Sequence, residues 1–269
     1  MTVLVILLTT IDVGLFAWTV AKNGGFEKFD VNPFIGPSIY TLDETLARNS
    51  YKISGVVNDN FDGQCVLCSE NPVPNCVEGT LCSINPNLPD CIRERPDCSH
   101  EWTRLIVPIF LHVGLIHLVL NILIRWQLLI IMEPLWGEGR LIFIYLVSGI
   151  GGNLLSSVYS TVRISVGASG SLFGLIASLI PFLFQFSKAF NYPKAVSLFI
   201  FGFLVTDAIV TPMLVGDSEL YDSYAHTGGA IMGFMATLVV WGHSPSPEKW
   251  QRKMGSQRPW LIMALRVYN

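Results

Sequence analysis

Charge is what this chain has least of. Asp, Glu, Lys and Arg make up 14 % of its 269 residues, against about 25 % in a soluble domain. A water-facing surface of ordinary extent cannot be assembled from so few. The formal net charge of −3 lacks the basic excess that nucleic acid demands, so no nucleic-acid partner is expected. No Asn-x-Ser/Thr acceptor with a permitted middle residue occurs, and N-glycosylation is not expected. There is no internal repeat and no pair of broken segments in matching halves, which argues against a transporter. The apolar segments hold no metal-ligand set, so neither metal nor cofactor is expected. What abounds is hydrophobic sequence, 51 % of residues, with a mean hydropathy of +0.49. It is gathered into six runs, 1–21, 105–131, 141–159, 169–186, 196–215 and 225–241, of a length that suits a bilayer. The expected class is all-α, a polytopic membrane protein with six transmembrane helices. The first run lacks a positive n-region and a clear cleavage site, so it reads as a helix rather than a signal peptide. A shorter patch, 260–265, follows Pro259 and reads as interfacial.

Lysine and arginine set the orientation. The 188–194 turn carries Lys188 and Lys194 and no acid, and the tail carries Lys249, Arg252, Lys253, Arg258 and Arg266 against Glu248. The 216–224 loop carries only Asp217, Glu219 and Asp222, and residues 22–104 hold twelve acids to seven Lys/Arg. The turn and tail therefore face the cytosol. Loops 22–104, 160–168 and 216–224 face the lumen or the outside, and six spans put both termini in the cytosol. All six cysteines, Cys65, Cys68, Cys76, Cys82, Cys91 and Cys98, fall in the first outer loop. An even count in an oxidising compartment reads as three disulfides of undetermined pairing. The competing reading is zinc, resting on the Cys65-x-x-Cys68 spacing alone, since no second pair of that spacing follows. The expected division is a first helix (1–21), a lumenal cysteine-rich loop (22–104), a five-helix core (105–243) and a basic cytosolic tail (244–269).

Polar groups at membrane depth are costly and each needs a reason. Ser169 stands where the fourth run begins, in "SVGASGSLFG" (165–174); alone, it reads as a helix cap. The sixth run opens "AHTGGAIMG" (225–233) and places His226 at a matching depth. Gly229 and Gly233 repeat the four-residue spacing of Gly170 and Gly174. Small residues at that spacing let two helix backbones approach closely, which would bring Ser169 within reach of His226. A serine hydroxyl is a weak nucleophile until a base such as histidine takes its proton. A packing histidine would explain His226 but not the matched glycine faces. In "LHVGLIHLVLN" (111–121), His117 and Asn121 are four apart and share a helix face, with His112 nearer the outer end. Their N–H groups, with the backbone N–H of Ser169, suit a developing oxyanion. Singly, each would read as polar glue between helices.

In this order, the motifs resemble the rhomboid family of intramembrane serine proteases. The likeness runs over most of the chain, through "NPFIGPS" (32–38), "EWTRLIVPIFLHVGLIHLVLN" (101–121), "GEGRLIFIYLVSGIGGNLLSS" (137–157), "GASGSLFGL" (167–175) and "AHTGGAIMG". It implies that Ser169 is the nucleophile, His226 the general base, and His117 and Asn121 the oxyanion hole. Phe173 would stack beneath the imidazole, where many members carry tyrosine, and Gly167, Gly170, Gly229 and Gly233 would support the site. The implied fold is a six-helix bundle with a short central fourth helix, a fifth helix acting as lateral gate, and a cavity open to the lumen. Trp102 with Arg104, and Glu133 with Arg140, match structural pairs. Asp207 is not taken as a third catalytic member, because the family works as a dyad and the run 196–215 sets this acid away from the lumenal end. Asp12 and Asp207 are expected to hydrogen-bond within the bundle. The implied activity is endoproteolysis of single-span membrane proteins, so the partners are transmembrane substrates and the lipid bilayer, in a secretory membrane such as the Golgi or plasma membrane. The alternative is a non-catalytic, rhomboid-like pseudoprotease that binds membrane clients for quality control. Oligomeric state is left open.

Overall fold

The computed structural model describes residues 3–50, 101–160, 164–187, 192–211, 213 and 221–242. The six cysteines, the 260–265 patch and the basic tail from 243 onwards lie outside the described residues, and the disulfide expectation with them. The described chain is helical. Its long helices are α1 (Val3–Lys22), α2 (Leu115–Trp136), α3 (Glu138–Tyr159), α4 (Ser169–Gln185), α5 (Pro193–Val205, continued by a π-helical turn Thr206–Val210) and α6 (Ser223–Gly242). A short helix, Ile39–Glu44, and two 3₁₀ turns, Trp102–Leu105 and Val107–Phe110, lie in the segments before α2. Among the described residues the only β contact is an isolated antiparallel bridge between Arg48 and Ser165.

Among the described residues, four segments are long and apolar enough to cross a membrane: Val3–Lys22, Leu115–Glu133, Glu138–Tyr159 and Pro193–Val210. Helix α4 is shorter, at 17 residues. The second run departs from the expected helix at 105–131. Pro108 sits in the second 3₁₀ turn, Leu111 is extended, and the helix begins only after Gly114. Proline lacks the N–H an α-helix needs, and glycine carries no cap. His112 therefore lies on the approach to α2, not on it. Carbonyls of the "NPFIGPS" segment do the capping instead: Leu115 N–H donates to Ile35 O at 2.9 Å and Ile116 N–H to Phe34 O at 3.3 Å. Asn32 Nδ2 ties the same segment to Val113 O at 2.9 Å.

The core of the bundle is a meeting of glycine faces. A methyl group on Gly229 would strike the backbone of Gly170, and one on Gly233 the backbone of Gly174. Helix α3 joins them: Gly152 lies against Ala225 O, and Gly228 against the Gly151 carbonyl. The glycine spacing read from α4 and α6 is thus realised as direct backbone contact. Gly229→Ala is expected to lower the melting temperature in detergent, since overpacking typically costs ~1–3 kcal/mol. It should lower any activity with it, by forcing α4 and α6 apart. Gly202→Ala, where no atom lies within 4 Å of the added carbon, is the control; equal melting temperatures for the two variants would contradict the packing argument.

The segments outside the bundle are fastened by two buried arginines. Arg104 Nη1 donates to Ala47 O at 2.7 Å and Asp43 O at 2.9 Å, and it pairs with Asp43 Oδ1 at 3.1 Å. Its Nε pairs with Glu101. Trp102 beside it is 62 % exposed, so the pair divides into an outward aromatic and an inward tie, both structural. Arg48 donates to Ser160 O at 3.0 Å and lies 3.8 Å from Asp222.

Candidate active site

Ser169 is the first residue of α4, not its cap. The N-cap is Ala168, which has no side-chain acceptor. The turn before it rests on Gly167, whose φ of +133° suits glycine. A side chain there would also strike the His117 ring, 2.6 Å from Cε1. Gly167 N–H donates to Pro108 O at 2.8 Å. The turn, the 3₁₀ approach to α2 and His117 thus form one unit beside the start of α4.

His226 lies in the first turn of α6. Asp222 caps that helix by accepting the Ala225 N–H at 2.9 Å, the usual role of a residue three positions earlier. Ser156 of α3 donates to the same carboxylate at 2.5 Å. Burial alone would raise the Asp222 carboxyl, but Arg48 and the hydrogen bonds from Ser156, Ala225 and Ser165 outweigh it and hold it below its ordinary value. A depressed acid stabilises above its unfolded pKa and loses that contribution as pH falls through the folded value. The cap therefore stays charged at neutral pH.

Phe173, four residues after Ser169 and on its face of α4, stacks on His226 with ring centroids 4.1 Å apart and planes 5° from parallel. Gly170, next to Ser169, lies against Ala225 O, next to His226. These contacts hold nucleophile and base candidates side by side at one end of the bundle. The His117 ring centroid is 5.5 Å from that of His112, and the ring faces Gly167, two residues before Ser169. Asn121 is buried, but its Nδ2 donates to His117 O at 2.9 Å, within its own helix. That bond takes one of the two amide hydrogens.

Asp207 is a correction. It does not sit away from the site: its carboxylate lies 3.3 Å from His226 Nδ1 and accepts the Tyr221 O–H. The error was one of register. Hydropathy gave depth only: Asp207 stands in the π-helical turn Thr206–Val210, beside Tyr221 and the first turn of α6. Asp12, expected to bond within the bundle, pairs with Arg125 at 2.6 Å, both fully buried. At the far end, Arg140 covers the Trp241 ring at 4.4 Å and donates to Trp136 O at 3.2 Å. Glu133 Oε2 is buried there without a hydrogen-bond partner among the described residues.

Sequence reading missed Tyr221, whose ring meets the imidazole edge-on at 4.9 Å and 87°. It also missed Phe203, stacked on Phe173 at 5.5 Å, and the Arg48–Asp222 tie. Phe203 and Asp207 are four apart in the fifth run, which was signal enough to place them on one face. Nothing local marks Arg48 or Tyr221.

Residues 99–243 match the Rhomboid domain family model, over half of the chain. The chain belongs to the rhomboid family. It is an integral multi-pass membrane protein, and its helices, capped and packed as above, form a rhomboid domain. It is 33 % identical to Inactive rhomboid protein 1 of Homo sapiens over 186 residues, which cover 66 % of this chain and 19 % of that protein. The Danio rerio protein of the same name is 32 % identical over the same length and shares. Rhomboid-type serine protease 2 of Emericella nidulans is 30 % identical over 246 residues, 87 % of this chain and 46 % of that protein. The chain thus spans about a fifth of the inactive rhomboid proteins and about half of the serine protease.

Proposed function

We propose that this rhomboid protein is an intramembrane serine endopeptidase that cleaves transmembrane segments with a Ser169–His226 dyad. One observation carries the reading: Phe173, one turn from Ser169, lies parallel beneath the His226 imidazole. A histidine held by a ring face is oriented for proton transfer rather than merely packed. In the reaction, Ser169 Oγ attacks the scissile carbonyl as His226 takes its proton. Negative charge develops on the carbonyl oxygen near the Ser169 backbone N–H, which at a helix start has no intrahelical acceptor, and near His117. His226 then gives its proton to the leaving amine, and water activated by the same imidazole releases the acyl group. Helix α5 is the least buried of the four long apolar segments, 17 % against 28–50 %, so it is the one displaced at least cost to admit a substrate from the lipid. The reading keeps six spans, with the Ser169–His226 end toward the lumen or outside of a secretory membrane and both termini in the cytosol.

The test is covalent labelling of the purified protein by a serine-reactive fluorophosphonate. Labelling that disappears in Ser169→Ala is expected. The relatives named inactive rhomboid proteins favour a second reading, a client-binding pseudoprotease, under which the parent chain takes up no label while still capturing membrane proteins. Retention of both Ser169 and His226 favours the first.

Asn121 discriminates between two roles. As an oxyanion donor it would use its second amide hydrogen, and Asn121→Ala would then lower kcat by ~10²–10³. As an intrahelical tie it would leave kcat per labelled site almost unchanged. The bond to His117 O steadies the amide while using only one of its hydrogens, so the first outcome is expected; an unchanged kcat per titrated site would leave Asn121 as a tie only.

A further inference from the structure

We infer that Asp207, held by Tyr221, is a positioning residue for His226, and that it makes the orientation of the base depend on the place of α5. This rests on the protease reading above. The imidazole is approached from three directions. Phe173 lies under its face, Tyr221 meets it edge-on, and the Asp207 carboxylate lies 3.3 Å from Nδ1. Both Asp207 and His226 are buried. The Tyr221 O–H donates to Asp207 Oδ1, one of two carboxylate oxygens that each lie 3.3 Å from Nδ1, which fixes the acid in its turn. A carboxylate at Nδ1 accepts the ring proton there and leaves the lone pair on Nε2, the tautomer a general base needs.

Asp207 does not belong to either helix of the dyad. It stands on α5, in the π-helical turn Thr206–Val210, a wider turn of a kind common at functional positions. One turn earlier on the same helix, Phe203 stacks on Phe173. Helix α5 therefore steadies His226 twice, once through Nδ1 and once through the ring beneath it. Glycine contacts join α4 to α6 without α5, so moving α5 leaves nucleophile and base paired but takes the acid away. The base is fully oriented when α5 is in place and loosened when it is not.

The experiment compares fluorophosphonate labelling rates of Ser169 in the parent, Asp207→Asn, Asp207→Glu and Tyr221→Phe, with the His226 tautomer read from ring 15N shifts of histidine-labelled protein. Asp207→Asn is expected to slow labelling about ten- to a hundredfold. This is short of the ~10⁴ lost when the orienting acid of a soluble Ser-His-Asp triad is replaced, because Phe173 still holds the ring. The same variant should show a mixed His226 tautomer. Asp207→Glu should recover part of the rate, and Tyr221→Phe should lose less, in the same direction. Parent-like labelling and a parent-like tautomer in Asp207→Asn overturn the inference while leaving the protease reading intact. So does a slowed rate with an unchanged tautomer, which marks a packing role. If Asp207→Asn does not fold, Tyr221→Phe decides by the same two readouts. A parent chain that takes no label overturns the protease reading and this inference with it.

Discussion

Ser169→Ala is expected to abolish cleavage of any substrate, and His226→Ala to do the same, with the fold retained in both. Losing the nucleophile of a serine protease removes a factor on the order of 10⁶ from kcat, because no other group can form the acyl intermediate. The base is nearly as indispensable, since an unactivated hydroxyl attacks amides negligibly. Retention of the fold follows from where the packing lies. Backbone atoms of Gly170, Gly174, Gly229 and Gly233 make the closest α4–α6 approach, and neither dyad side chain is needed for it. Ser169→Ala should therefore melt with the parent in detergent. His226→Ala forfeits the stack on Phe173, about 0.5–1.5 kcal/mol. Ser171 supplies the control. It is fully buried, with its hydroxyl against Gly149, so Ser171→Ala should cleave normally. Activity kept in Ser169→Ala but lost in Ser171→Ala would mean that the wrong serine has been assigned.

The largest loss of stability is expected from Arg125→Leu. Arg125 pairs with Asp12 at 2.6 Å and donates to the Tyr145 hydroxyl at 3.2 Å, joining α1, α2 and α3 with no exposure to solvent. Breaking a buried pair from one side leaves a charge without compensation, which costs ~3–5 kcal/mol. Replacing both partners removes the stranded charge. The Asp12→Leu/Arg125→Leu double variant should therefore unfold at a higher denaturant concentration than Arg125→Leu alone. A double variant as unstable as the sum of the two single ones would show that the residues act independently and that the pair is not what holds the three helices. Catalysis per labelled site should be unaffected throughout, because none of the three residues touches the Ser169–His226 end.

Glycine spacing was the most legible feature. Gly170 and Gly174 on one run and Gly229 and Gly233 on another were enough to foresee the α4–α6 contact, because close approach depends only on the absence of side chains, which a sequence displays directly. The stack of Phe173 on His226 lies on the same seam. Register was not legible. Hydropathy measures depth, not where a helix begins, so it reads 105–114 as helix despite Pro108 and Gly114, and it sets Asp207 away from the end of the bundle that holds His226. Ties between distant segments were invisible for another reason. Arg48 meets Ser160 and Asp222, and nothing in the sequence around an arginine tells which far acid it will find. Asn121 keeps the helix face read for it, and one of its amide hydrogens goes to the carbonyl four residues back, a local choice open to any asparagine in an apolar helix.

The glycine seam also separates inheritance of shape from inheritance of chemistry. Because the closest approach of the helices that carry Ser169 and His226 is made between glycine backbones, a descendant can exchange either side chain in a single step and still deliver a folded protein to the membrane. What it keeps is a furnished recess with the reagent taken out, free to be selected for holding rather than cutting. A family built on such a seam is expected to branch repeatedly into members that retain the frame and abandon the reaction, whereas the reverse, chemistry surviving loss of the seam, has no structural route.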